Sequence, residues 1–481
     1  MRFIKCSASA ATVFAIGASI AAASVAGAQT DSSFNRTEAP TPTAPKPLTF
    51  PHAQTRKLAN GVPIVILEDH TSPVVSVVAV LDVPARLEPA GKTGLSATLT
   101  SMLSEGTTTR TADQLADAFA EIGNRVSPTR FYTITGNVDR SLELMADELR
   151  HPSFPQAALD RVKANQIAQL RRAQENPTYL GIRAFGNVVY GADHPYARMA
   201  TESEVASITR GDITAYYNEY YRPPNVSFVV AGDITPAQAV AKLSRVFGDW
   251  PAGGKAATPV SLPNRVAPET IYLVDRPGSP QSVIVAGALG PRRDSPDYFA
   301  TDLANTSFGG AFTSRVNLNL REDKHYSYGA NSFFSYRRVP EPSTFMVYTS
   351  VSTPKTDSSL VQLAKEFADI RATRPITPAE LAFAKSSATK GLPLQFETIG
   401  ARADAIAGLV RQGLPLDYYN TVVQRFTAVP QAAVQQSAVR YLDPAKMAIV
   451  VVGDRKVIEP GIRAANIAPV VIVDENGNPV K

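Results

Sequence analysis

The chain is poor in the residues that make covalent and metal cross-links: its 481 residues include one cysteine, Cys6, and five histidines. Cys6 lies in an N-terminal stretch that reads as a removable leader, so the mature chain is expected to form no disulfide and to offer no thiolate ligand. His52, His70, His151, His194 and His325 are scattered, and no two lie within five positions of each other. A pair of imidazoles one helical turn apart is thereby excluded. Beyond the leader no run of roughly 18 apolar residues occurs, which excludes a stable membrane span in the mature chain. The net charge of +5 comes without a basic run interleaved with aromatics, so no nucleic-acid partner is indicated. Gly309-Gly310 is followed by no Lys-Ser or Lys-Thr, so this turn serves backbone shape rather than phosphate binding.

What is present is ample core material. Apolar residues make up 44% and charged residues 19% of a chain longer than one hydrophobic core usually organises. Arg2 and Lys5, an Ala/Ile/Val-rich stretch from Ala8 to Val25 and then Ala26-Gly27-Ala28 form a signal peptide, expected to be cleaved after Ala28 and to direct the protein to the periplasm. An uncleaved anchor is the rival reading, disfavoured by the Ala, Ser and Gly content of the stretch. Residues 29–50, rich in Thr, Pro and Ser, read as a flexible lead-in.

The Asn60-Gly61 turn and the run Val62 to Leu67 predict a hairpin, and Val74 to Val83 a further buried strand. Apolar spacing of three and four predicts helices over Leu95–Leu103, Ala112–Ile122, Ser141–Leu149 and Gln156–Gln174, with Thr111 and Ser153 near two of the starts. A Pro/Gly/Ala-rich linker, 251–268, leads to a second strand-led segment at Thr270. The two segments echo each other: Val229-Val230-Ala231-Gly232-Asp233 recurs as Val450-Val451-Val452-Gly453-Asp454, each preceded by a Tyr and a Pro-containing turn. The simplest reading is duplication, with lobes at 51–250 and 269–456, each of about 200 residues. The fold class is α+β, with a mostly antiparallel sheet in each lobe and helices packed on one face. The tail 457–481 is left between an added edge strand and a loose end.

Several runs resemble the pitrilysin and insulinase type of zinc peptidase, especially its short forms related to processing peptidases. They are Gly94-Leu95-Ser96-Ala97-Thr98-Leu99-Thr100-Ser101-Met102-Leu103-Ser104-Glu105-Gly106, His194-Pro195-Tyr196, Tyr221-Arg222-Pro223-Pro224-Asn225, and the stretch Asn305 to Gly329. The resemblance covers nearly all of residues 55–455 and implies a two-lobed half of a clamshell. In that family an H-x-x-E-H helix holds Zn²⁺ and supplies the general base. Those places are Ala97, Thr100 and Ser101 here, and a later acidic ligand would fall near Ala168-Gln169. Methyl and hydroxyl groups neither hold zinc nor take a proton from water near neutral pH, so no metal is expected in this chain and no hydrolysis by it alone.

The second lobe keeps what the resemblance implies to be an Arg/Tyr pair, Arg321 and Tyr328, which in such enzymes reaches toward a zinc site to bind and polarise the scissile carbonyl. His325 stands where the family usually has Gly, a place a His in left-handed backbone can fill. The leading expectation is a non-zinc subunit that pairs with a homologous, zinc-bearing partner chain and acts on extended oligopeptides. The alternative is a structural, assembly or peptide-binding homologue without peptidase chemistry.

Overall fold

The expected hairpin is present: β1 (Gln54–Lys57) runs antiparallel to β2 (Pro63–Glu68), with Gly61 in left-handed backbone at the turn between them. In this computed structural model residues 50–83, 85–123, 127–260 and 269–480 are described. The expected leader, nearly all of the lead-in and residues 261–268 of the expected linker lie outside them.

Two sheets organise the described residues. The first has the order β1-β2-β5-β3-β4, with β3 (Val74–Leu81), β4 (Arg130–Ile134) and β5 (Val226–Gly232). The second has the order β11-β6-β10-β7-β9-β8, from β6 (Thr270–Asp275), β7 (Gln281–Arg292), β8 (Ser327–Ser335), β9 (Pro342–Ser352), β10 (Ala448–Gly453) and β11 (Val470–Val473). The duplication is topological. In each half a parallel pair, β2 with β5 and β6 with β10, is joined by antiparallel neighbours, β3 then β4 and β7 then β9. The echoed glycines close the equivalent strands, and a Cβ on either would collide with the neighbouring strand, at the Val74 carbonyl for Gly232 and at Ser282 for Gly453. The tail resolves as an edge strand, since β11 adds parallel to β6.

Four helices frame the functional regions: α1 (Leu95–Met102), α2 (Gln156–Gln174), α3 (Pro177–Tyr190) and α4 (Ile399–Gln412). The predicted helices are found within a few residues of their expected ends, and Thr111 closes a capping box. Ser153 is not the cap of α2; that place is taken by Pro155. Helices cover one face of each sheet, as expected, and the opposite faces are covered by an exchange. The first-half helix α3 sets Leu180, Ala184 and Phe185 against Val283, Val285, Val450 and Val452 of the second sheet. In return, α4 sets Ala403, Ile406 and Ala407 in the cluster that holds Val65, Val78 and Val229 of the first. Strands buried on both faces are rich in apolar residues, as β3, β5, β7 and β10 are, with Ser76 and Ser227 as interruptions in β3 and β5.

Candidate functional site

At the place where the family it resembles carries metal ligands, α1 has Ala97, Thr100 and Ser101, as the sequence reads. Leu95, Thr98, Leu99 and Met102 face the core, which leaves Ala97, Thr100 and Ser101 together on the exposed side. Their chemistry is turned inward: Thr100 Oγ1 donates to the Ser96 carbonyl at 2.8 Å and Ser101 Oγ to the Ala97 carbonyl at 3.0 Å. The start of the helix is capped from outside by Glu88, whose buried carboxylate accepts from the backbone N–H groups of Gly94 and Ser96 and from the Ser96 hydroxyl. Thr98 donates to Gln166 of α2 at 2.8 Å, so the two helices that would share a metal are tied by a neutral hydrogen bond. Among the described residues no group of three His, Cys, Asp or Glu could hold a metal ion. These residues do not fit zinc.

The second lobe differs. Arg321 and Tyr328 line one open groove of about 600 Å³ together with Pro280, Gln281, Glu322, His325, Tyr326, Ser327 and Ser352. Three backbone irregularities shape it. The helix begun at Arg315–Asn317 widens into a π turn, Leu318–Asp323, which carries Arg321. His325 then takes the left-handed conformation, φ 55°, and its Nδ1 lies 3.0 Å from the Arg321 carbonyl. In β8 the register against β9 slips between Ser327 and Ala330, a bulge that throws Tyr328 outward to 89% exposure.

The groove's frame is hydrogen-bonded throughout. Ser327 Oγ donates to the Ser350 carbonyl at 2.8 Å and accepts from the Gly329 N–H at 3.0 Å. Buried Asn305 and Ser332 bond to each other and join β8 to the π turn Thr306–Gly310. A Cβ at Gly309 would overlap the Ser332 side chain, so that glycine serves close backbone approach, as expected. The Arg321 guanidinium lies 4.6 Å from the centre of the Phe312 ring, with its Nε 3.1 Å from Glu322. Leu318 is exposed, whereas Val316 and Leu320 are buried. Sequence reading missed Phe312 and Asn317; the available signal was an Asn flanked by Val316 and Leu318 where an apolar residue would be expected.

His194-Pro195-Tyr196 is an internal fastening. The His194 ring stacks on Tyr190 at 5.3 Å, and Tyr196 bonds the Glu341 carboxylate beneath the Arg337 guanidinium, 3.8 Å from the ring centre. Burial, with the Glu341 carboxylate, pushes the Tyr196 phenol well above its usual range, so it remains a neutral donor.

The fold and the site define a class: an α+β protein of two similarly wired sheets in which, among the described residues, no group of His, Cys, Asp and Glu could hold a metal ion. Residues 64–185 match the family model for insulinase (peptidase family M16), and residues 207–388 match the peptidase M16 inactive domain. The chain belongs to peptidase family M16. It is 26% identical to an uncharacterised zinc protease, YmxG, of Bacillus subtilis, over 71% of this chain and 84% of that one. It is 23% identical to the non-peptidase homologue YmxG of Helicobacter pylori, over 76% and 85%. In fold it is similar to the crystal structure of a peptidase M16 inactive domain from Pseudomonas fluorescens, with a TM-score of 0.75, 23% identity and coverage of 84% of this chain and 98% of that one. A protease from Helicobacter pylori superimposes with a TM-score of 0.73, 20% identity and coverage of 84% and 99%.

Proposed function

We propose that this chain is the non-zinc subunit of a heterodimeric, periplasmic M16 peptidase. A homologous partner supplies zinc and general base, and this chain supplies Arg321 and Tyr328. The observation that carries the reading is the asymmetry between the two sites: the metal face of α1 has no ligands, whereas Arg321 and Tyr328 share an open groove on a hydrogen-bonded frame. A flat guanidinium and a phenol are the donors suited to a carbonyl oxygen on which negative charge develops. The substrate class is an extended oligopeptide, its scissile carbonyl offered to these donors while the partner delivers the attacking water. The name of the Helicobacter pylori relative, a non-peptidase homologue, agrees with a chain inactive alone. The test is cleavage of a quenched fluorescent peptide by the mature chain, by a homologue from the same organism that carries the H-x-x-E-H motif, and by their mixture. Activity well above the sum of the separate chains is expected. A mixture no more active than the zinc-motif chain alone would contradict the proposal.

A further inference from the structure

Resting on that reading, we propose that Asn317 and Phe312 are positioning residues that lock Arg321 and Tyr328 into one working unit. Asn317 is only 4% exposed, yet it is polar, and its side-chain amide joins two separate segments. Its Nδ2 donates to the Phe312 carbonyl at 2.6 Å, and its Oδ1 accepts from the Ala330 N–H at 3.0 Å. The first bond holds the turn that carries Phe312, whose ring lies 4.6 Å from the Arg321 guanidinium. The second anchors β8 immediately past the bulge that carries Tyr328. One buried amide therefore sets both the platform of the arginine and the strand of the tyrosine.

The chemistry suits a donor that must stay aimed. A guanidinium resting on a ring uses its face for the contact, so its N–H edge stays available to a carbonyl oxygen. Glu322 alone gives Arg321 a single tether, at Nε. The Phe312 ring adds a second point and so sets the plane. Phe312 is 63% exposed, an unfavourable place for a ring that only filled space. An apolar side chain at position 317 would leave the Phe312 carbonyl and the Ala330 N–H unpartnered, and both segments would loosen.

The experiment uses the full mature chain with ¹⁵N-labelled arginine, alone and mixed with the zinc-motif homologue. The variants are Phe312→Leu, Phe312→Trp, Asn317→Asp and Asn317→Leu, with Arg321→Lys to assign the resonance. In the unaltered chain the Arg321 Nε–H signal should show the ring-current displacement of a stacked side chain. Phe312→Leu and Asn317→Leu should abolish that displacement, Phe312→Trp should restore it, and Asn317→Asp, which keeps the acceptor for Ala330, should reduce it. In the mixture kcat should fall about two- to fivefold in Phe312→Leu and on the order of tenfold in Asn317→Leu, with KM little changed. The losses from Arg321→Lys and Tyr328→Phe should be less than multiplicative in the unaltered chain and multiplicative in Asn317→Leu. An Arg321 signal that is the same in the unaltered chain, Phe312→Leu and Asn317→Leu would overturn the inference. So would independent Arg321 and Tyr328 losses in the unaltered chain. If no mixture cleaves, the subunit reading fails while the resonance still decides this one. If Asn317→Leu does not fold, Asn317→Asp and Phe312→Leu carry the same decision.

Discussion

The two lobes share a strand plan and differ in where they tolerate irregularity. On α1, at the place where relatives of the type it resembles keep metal ligands, the Thr100 and Ser101 hydroxyls bond carbonyls of their own helix and the N-terminus is capped by Glu88. Around Arg321 and Tyr328 the backbone instead accepts a π turn, a left-handed histidine and a bulge, and the exposed side chains converge on one groove. Departures from regular geometry persist only where surrounding structure holds them, and they cluster at working sites. The first lobe has settled into stability and the second keeps a shape.

The largest effect that can break this comparison lies in the exchanged helices. Phe185→Ala in α3 removes a ring packed on the second sheet, and should destabilise the chain by about 3–5 kcal/mol in chemical denaturation. Ile406→Ala in α4, on the first sheet, should cost about 2–5 kcal/mol. Because each helix covers the other half's sheet, both variants should still unfold in one transition; two separated transitions would show that the lobes fold independently.

A smaller effect tests the silence of the first lobe. Ala97→His with Ser101→His places two imidazoles one turn apart on the exposed side of α1. Calorimetry should detect zinc binding, while the chain alone should still fail to cleave peptide, for want of a general base at position 100. Peptide cleavage by that variant alone would mean that this face retains catalytic groups outside α1.

The pH dependence of stability sharpens the contrast further. His70 sits with Nδ1 2.6 Å from Asp233 and Nε2 3.0 Å from Glu68, and the hydrogen bonds to Asp233 first and Glu68 second raise its pKa above 6.5. The stabilisation is full below the unfolded value and is lost as pH rises through the raised one. Melting temperature should therefore fall from pH 6 toward pH 8 more steeply in the unaltered chain than in His70→Gln. Equal slopes would show that His70 contributes nothing to this dependence. Smallest of all, Thr100→Ala and Ser101→Ala should change stability by less than about 0.5 kcal/mol, and should leave cleavage by the mixture unaltered; a clear loss would reopen the first lobe as a working site.

Much of this was legible in the residues. The absent ligands at Ala97, Thr100 and Ser101 needed no coordinates, since a methyl and two hydroxyls cannot replace two imidazoles and a carboxylate. The echo of Gly232 and Gly453 announced the duplication because a strand end crowded by its neighbour admits only glycine. Arg321 and Tyr328 came from the resemblance that the run Asn305 to Gly329 carries, and the groove they line places them side by side. The exchange of α3 and α4 was not, because helical periodicity says that a face is buried and not which sheet buries it. Nor were Phe312 and Asn317, whose roles depend on a π turn and a bulge, two irregularities that break the 3.6 and 2.0 periods on which such reading rests.

The central claim is that this chain lends its partner a pair of donors. It is tested most directly by the rate of peptide cleavage in the mixed complex when Tyr328 is changed to Phe, with complex formation monitored by size-exclusion chromatography. The prediction is an intact complex with a kcat reduced on the order of tenfold or more and a KM changed far less. An intact complex that cleaves at the unaltered rate would contradict it.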